Sequence, residues 1–453
     1  MTTFPKDFLW GAATAAFQIE GSPLADGAGP SNWLRFSHQP GGILTGENAD
    51  IACDHYQRWP GDLDLMRQLG LQAYRFSLSW SRIMPEGTGA VNGPGLDFYA
   101  RLVDALLDAG IQPVPTLFHW DLPDALAERG GWRNRDCAEW FADYAGIVFQ
   151  RLGDRVPRWT THNEPWVVVD AGYVHGVHPP GIRDLSAAPH VTHNLLRGHG
   201  LAVQNFRAEC RGEIGIVVNQ EPKDAAGDDP ADQAAARRAD AYMNRQFLDP
   251  VLLGSYPDEM AEIFAAHWPD FPAADFAQIQ QPIDFLGVNY YTRSVNRFDP
   301  SPTAQPVQAS QVRRPGALYT EMEWEVRPRS LYELLMRLRK LYGDIPLFIT
   351  ENGAAFADPQ PDEDGRIADP LRTEYFRTHL LALYDAVADG SVVRGYFAWS
   401  LLDNFEWTFG FSKRFGLIGV DFATGERHLK DSALFYRDVI ATNGEILSDS
   451  RSR

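Results

Sequence analysis

Hydrophobic residues along the chain fall into two alternating rhythms. Short β-branched or aromatic runs recur near residues 8–13, 72–78, 112–118, 158–163, 214–219, 284–290, 346–350 and 393–399. Longer stretches of helical period lie between several of them. Leu102, Val103, Leu106 and Leu107 are expected to share one helical face ending at Gly110. Phe141, Tyr144, Val148 and Leu152 do the same before Gly153, and Phe376, Leu380, Leu383 and Val387 before Gly390. Eight strands interleaved with helices predict an α/β fold with a parallel sheet. A doubly wound open sheet for a dinucleotide should carry GxGxxG after its first strand, and the chain carries none there. A closed barrel predicts instead that polar, reactive residues cluster at the C-terminal ends of the strands.

The strand ends show that pattern. Gln18 and Glu20 follow the first strand, Arg75 lies in the second, and His119 and Trp120 follow the third. Asn163 and Glu164 end the fourth, Asn289 and Tyr291 the sixth, and Glu351 the seventh. Trp399 ends the eighth, with Glu406 and Trp407 beyond it, and only the fifth, ending at Asn219, offers little. The reading is a single (β/α)8 (TIM) barrel over residues 1–453, with long loops at its C-terminal face. Segments 221–236, 297–328 and 355–370 read as surface loops, and about 444–453 as a frayed polar tail. In a closed barrel all these strand ends converge on one mouth. Tryptophan faces stack on the C–H faces of pyranose rings, and forked amides and carboxylates hold adjacent hydroxyls, so such a mouth suits a sugar.

Composition narrows the partners. The formal net charge of −19 repels nucleic acid and anionic lipid, so neither is an expected partner. No apolar run reaches the roughly 18 residues of a membrane span, and the N-terminus has no basic region followed by an apolar core. The three cysteines, Cys53, Cys137 and Cys210, read as reduced, small, buried residues of a cytoplasmic protein. His190, His193 and His199 lie in one stretch without the surroundings of a metal site, and no metal is expected there.

Glu164 and Glu351 supply the two carboxyl groups that glycoside hydrolysis requires. At the roughly 5 Å separation of a retaining enzyme, two charges repel by about 3 kcal/mol at an effective dielectric of ~20. That is about two pKa units, enough to keep one group protonated near neutrality. Arg75 and Tyr291 are candidates to hold Glu351 charged, leaving Glu164 with the raised pKa.

The motifs FLWGAATAAFQIEG, YRFSLSWSRI, HWDLP, THNEPW, GVNYY, ITENG and AWSLLDNFEWTFGFSKRFGL, in this order, resemble family 1 of the glycoside hydrolases, the β-glucosidase group, from about Phe4 to Ile440. The resemblance implies a retaining β-glycosidase that acts on terminal non-reducing β-D-glycosyl residues by double displacement, with no cofactor. Glu351 resembles the nucleophile and Glu164 the acid/base. Gln18, His119, Asn163, Glu406 and Trp407 resemble the ligands of the sugar, with Trp120 beside them, Trp399 as floor and Phe415 as wall. Tyr291 and Arg75 resemble the partners of the nucleophile, Asn289 a support behind them, and Trp166 and Trp324 the aglycone-side aromatics. His162 departs from the family pattern and is expected to face away from the mouth and pack. Glu406 argues for unphosphorylated sugar, since a 6-phosphate beside it is electrostatically poor. Gluco, galacto, fuco and manno rings are all admitted, and a homo-oligomer is compatible with this reading. A binding protein and a transglycosidase on the same scaffold are the alternatives; the first would be expected to lack one or both carboxylates.

Overall fold

The computed structural model describes residues 3–450, with side chains through Ser448. Eight parallel strands close into a barrel: β1 (Leu9–Ala13), β2 (Ala73–Ser77), β3 (Gln112–Phe118), β4 (Arg158–Asn163), β5 (Glu213–Asn219), β6 (Phe285–Asn289), β7 (Leu347–Asn352) and β8 (Val393–Trp399). Their bounds agree with the hydrophobic runs to within two residues. Strands in a parallel barrel are covered on both faces, so they read as nearly unbroken apolar runs. Parallel pairing requires a crossover for each strand, and helices such as Gly93–Asp108, Cys137–Leu152 and Pro370–Ala388 supply it.

Phe141, Tyr144, Val148 and Leu152 are all buried against the sheet. Leu102, Val103 and Leu106 are buried too, but Leu107 is 38% exposed. Adjacent helical residues differ by about 100°, so Leu107 turns off the face that Leu106 occupies. Inside the barrel, Ala73, Val114, Phe285, Phe348 and Phe397 form a second core, which continues up to Trp120, Trp399 and Trp407. This interior is tight: a Cβ on Gly11 would stand 2.5 Å from the Phe397 ring.

Two of the three expected surface loops are built otherwise. Lys223–Ala225 pairs with Ser294–Phe298, which pairs with Ala309–Gln311 in a small sheet, and a helix spans Pro230–Asp240. Backbone groups in long segments need partners, and here they find them in secondary structure that low apolar content conceals. The expected tail is also partly structured: Glu445–Ser450 forms a 3-10 turn that buries Leu447, while residues 451–453 lie outside the described range. Among the described residues no helix is long and apolar enough to cross a membrane. Cys53 and Cys137 are buried, Cys210 is half-buried, and all three are unbridged.

Candidate active site

Glu164 follows β4 and opens the helix Pro165–Val169, with Pro165 in the position where a missing N–H costs nothing. Its backbone sits at φ +44°, Trp120 at +80° and Trp407 at +48°. Left-handed backbone in a non-glycine residue costs about 1–3 kcal/mol and persists only where the surroundings over-determine it. Three such residues crowd this one mouth.

Glu351 is the penultimate residue of β7. Arg75 Nη1 stands 2.6 Å from Glu351 Oε1, and Tyr291 donates its hydroxyl to Oε2 at 2.6 Å. Arg75 Nη2 donates to Asn163 Oδ1 at 2.7 Å. Asn289 Nδ2 donates to Glu164 Oε1 at 2.7 Å and to Asn163 Oδ1 at 3.0 Å, with Asn289 Oδ1 accepting from Thr350 Oγ1. The Asn289 amide also favours the charged form of Glu351. Asn289 thus ties Glu164 to Asn163, and Arg75 ties Asn163 to Glu351, at the C-terminal end of the barrel.

Because Asn163 Oδ1 faces two donors, its Nδ2 faces His119 Nε2 at 3.0 Å and donates to it. The imidazole proton then sits on Nδ1, which is buried without a partner. Burial, and then the Arg75 charge, hold His119 well below its ordinary pKa, so the ring is neutral. Gln18 Nε2 donates to Asn404 Oδ1, the Phe405 carbonyl and Glu406 Oε2 at 3.0, 3.0 and 3.3 Å. Gln18 Oε1 is buried and unpartnered. An acceptor and a donor sequestered in this way are suited to the hydroxyl groups of a ligand.

Burial and, second, the neighbouring Glu351 charge push the Glu164 carboxyl up to about 8. The same two causes push Glu406 to about 8. Burial also raises Glu351, but Arg75 and the Tyr291 hydrogen bond oppose it. Glu351 is still raised overall, but it alone has a cation against it, so the geometry favours the charge on Glu351 and the proton on Glu164.

Aromatic rings form the walls. Trp407 packs on Trp120 at 4.4 Å between centroids, and His119 stacks near both Trp399 and Trp407 at 6.1 and 5.9 Å. Trp120 gives its indole N–H to the Asn163 carbonyl at 2.8 Å, so it offers a ligand its ring face. Trp324 meets Tyr291 at 5.0 Å and Phe415 at 6.1 Å. Trp166 packs edge-on against Tyr242 at 5.9 Å, with its Nε1 buried and unpartnered.

Glu20 departs from its expected place. It is tied to Arg82 at 3.0 Å and Tyr99 at 2.7 Å. The helical turn Ala16–Ile19 carries Gln18 and Glu20 in different directions. Three residues escaped the sequence reading. Asn404 anchors Gln18; Trp33 packs on Trp407 at 4.6 Å; and Asn219, paired in register with Asn289, has its Oδ1 buried without a partner. Asn219 had a signal, an amide at a strand end, while Trp33 lies in the short helix Asn32–Ser37, away from any strand end, and had none. His162 faces outward from the barrel, stacked on Phe141 and bonded to the Leu195 carbonyl. His193 binds Asp275 and Tyr256, and His199 binds Thr161.

Comparison with known proteins agrees with this geometry. Residues 1–445 match the family described as "Glycosyl hydrolase family 1". The chain is 47% identical over 443 residues to β-glucosidase A of Thermotoga maritima, covering 97% of this chain and 98% of that one. It is 47% identical over 446 residues to a 1,4-β-D-glucan glucohydrolase of Thermotoga neapolitana, covering 98% and 99%. The T. maritima β-glucosidase bound to glucoimidazole superposes with a TM-score of 0.95 at 47% identity, covering 98% of this chain and all of that one. The barrel, the paired carboxyl groups and these matches together make this chain a member of glycosyl hydrolase family 1.

Proposed function

We propose that this retaining β-glucosidase-type hydrolase uses Glu351 as nucleophile and Glu164 as acid/base. One observation carries the assignment: Glu164 and Glu351 are both buried at the end of the barrel, yet Glu164 is held by the neutral Asn289 amide while only Glu351 has a guanidinium against it. The charged Glu351 carboxylate attacks the anomeric carbon while protonated Glu164 gives its proton to the departing oxygen. The ester so formed removes the Glu351 charge. The second cause of the raised Glu164 pKa is then gone, and Glu164 can take a proton from the water that cleaves the ester.

Gln18, His119, Asn163, Glu406 and Trp407 hold the sugar hydroxyls, with Gln18 and Glu406 at O4. Trp399 forms the floor, Trp120 and Phe415 the sides, and Trp166 and Trp324 flank the leaving group. Terminal glucosyl residues of short β-linked oligosaccharides are the substrates, in keeping with the names of the Thermotoga relatives. That one of these is a glucan glucohydrolase supports a place in cellulose breakdown. A galacto-hydroximolactam complex of the T. maritima enzyme supports tolerance of the galacto ring. Three unbridged thiols support a cytoplasmic setting.

The test is a panel of nitrophenyl β-glycosides with NMR of the first-formed anomer, run beside Glu351→Ala and Glu164→Ala. The β-anomer should appear first. Glu351→Ala should bind sugar without turnover, and azide should rescue Glu164→Ala on substrates with good leaving groups. An α-anomer formed first, or uniform loss in Glu164→Ala without rescue, overturns the assignment.

A further inference from the structure

Behind the sugar site lies a buried ion network that touches none of the groups assigned to substrate. Lys430 is fully buried and donates to Asp358 at 2.5 Å and Asp403 at 2.7 Å. Arg372, also fully buried, pairs with Asp358 at 2.8 Å and Asp369 at 2.5 Å. Three carboxylates thus face two cations, with Arg414 adding a longer contact to Asp403 at 3.5 Å. Sequestering so many charges is costly unless every one is paired and hydrogen-bonded. Replacing such a set by apolar residues often does no harm to stability, so stability alone is a weak reason for it.

What the network grips is specific. Asp403 lies three residues before Glu406. Its Oδ1 accepts from the Gly416 N–H at 2.8 Å as well as from Lys430, and its own N–H donates to the Ile418 carbonyl at 2.8 Å. The loop that carries Asn404, Glu406 and Trp407 is thereby fastened to the strand that follows Phe415. At the other end, Arg372 donates to the carbonyls of Ala354 and Phe356, in the segment directly after Glu351, and to the Arg414 carbonyl. One charged bracket therefore joins the backbone after the nucleophile to the backbone that bears the sugar-binding carboxylate.

We propose that Asp403, Lys430, Asp358 and Arg372 are positioning residues, which set the placement of Glu406 and its partner Gln18 relative to Glu351. The proposal rests on the reading that Glu406 holds the sugar's O4 hydroxyl. A displacement of about 1 Å at a positioned group can cost up to about 100-fold in rate, which gives the scale of the effect.

The variant is Asp403→Asn, which keeps the shape and the acceptor for Gly416 but loses the charge facing Lys430. Turnover is measured on 4-nitrophenyl β-D-glucoside and on its 4-deoxy analogue, with Glu406→Ala as the reference. Asp403→Asn should lower kcat/KM on the glucoside by about 10- to 100-fold while largely sparing the 4-deoxy substrate. The preference for the 4-hydroxyl should therefore collapse in both variants. Should Asp403→Asn not fold, Asp358→Asn, on the far side of Lys430, replaces it with the same collapse expected. If both substrates lose rate in proportion, or the preference survives while Glu406→Ala abolishes it, the network is merely structural and the proposal falls. If Glu406→Ala itself keeps the preference, the O4 reading fails and the proposal falls with it.

Discussion

Arg75 and Glu351 form an ion pair at 2.6 Å in which the guanidinium is wholly excluded from solvent and the carboxylate nearly so. The same guanidinium reaches Asn163, so one cation holds both Glu351 and the residue before Glu164. Arg75→Met should leave Glu351 buried with no cation beside it. Its pKa should then rise, and the acidic limb of the kcat/KM–pH profile should move to higher pH. Breaking a buried pair from one side costs about 3–5 kcal/mol, and losing a positioned charge partner should cost about 100-fold or more in kcat. A profile whose acidic limb stays put would show that Arg75 does not set the ionisation of Glu351.

Glu406 couples function to stability. Its carboxyl moves from an ordinary 4.5 up to about 8 in the folded chain. Between those values the folded state holds a proton that the unfolded state has released. Stability is therefore lost as pH rises from the lower value to the upper one. Glu406→Gln removes that penalty. The variant should be more stable than the parent by about 1–4 kcal/mol near pH 8 and little different near pH 4, while losing activity. Urea midpoints at the two pH values check this, and an equal shift at both would refute the titration argument.

Trp120 holds the strand end before the acid through its indole N–H, bonded to the Asn163 carbonyl at 2.8 Å. Trp120→Phe keeps a ring against Trp407 but removes this bond. The expected loss is about 1 kcal/mol of stability and roughly tenfold in kcat/KM, because Asn163 and Glu164 are no longer tied. Unchanged kinetics would mean that the bond does not position them.

Gly353 is needed for close approach. A Cβ there would lie 1.8 Å from the Trp399 carbonyl oxygen, far inside contact distance. Gly353→Ala must push the segment after Glu351 away from Trp399. Melting temperature and kcat should both fall, with a destabilisation of about 1–3 kcal/mol. A fully active, equally stable variant would be inconsistent with this packing.

The amino-acid order alone was enough to determine the barrel and to pick out most of the polar strand ends that gather at its mouth. Strands covered on both faces are mostly apolar, although β4 buries Thr160, Thr161 and His162, so polar residues such as Glu164, Asn289 and Glu351 stand out where the runs stop. Leu107 went astray because a face read from spacing does not say how wide the buried stripe is. The small sheet around Ser294–Phe298 went unseen because its short strands are only partly covered and carry no apolar run. Only the tertiary structure decided that Glu20 serves Arg82 while Gln18 serves the mouth, that Trp33 lines it, and that His119 is neutral with its proton on Nδ1. Each depends on neighbours far apart in the chain. Local patterning records which residues prefer burial or a given backbone. Ionisation, tautomer and partner are set by desolvation and by charges that meet only once the barrel has closed.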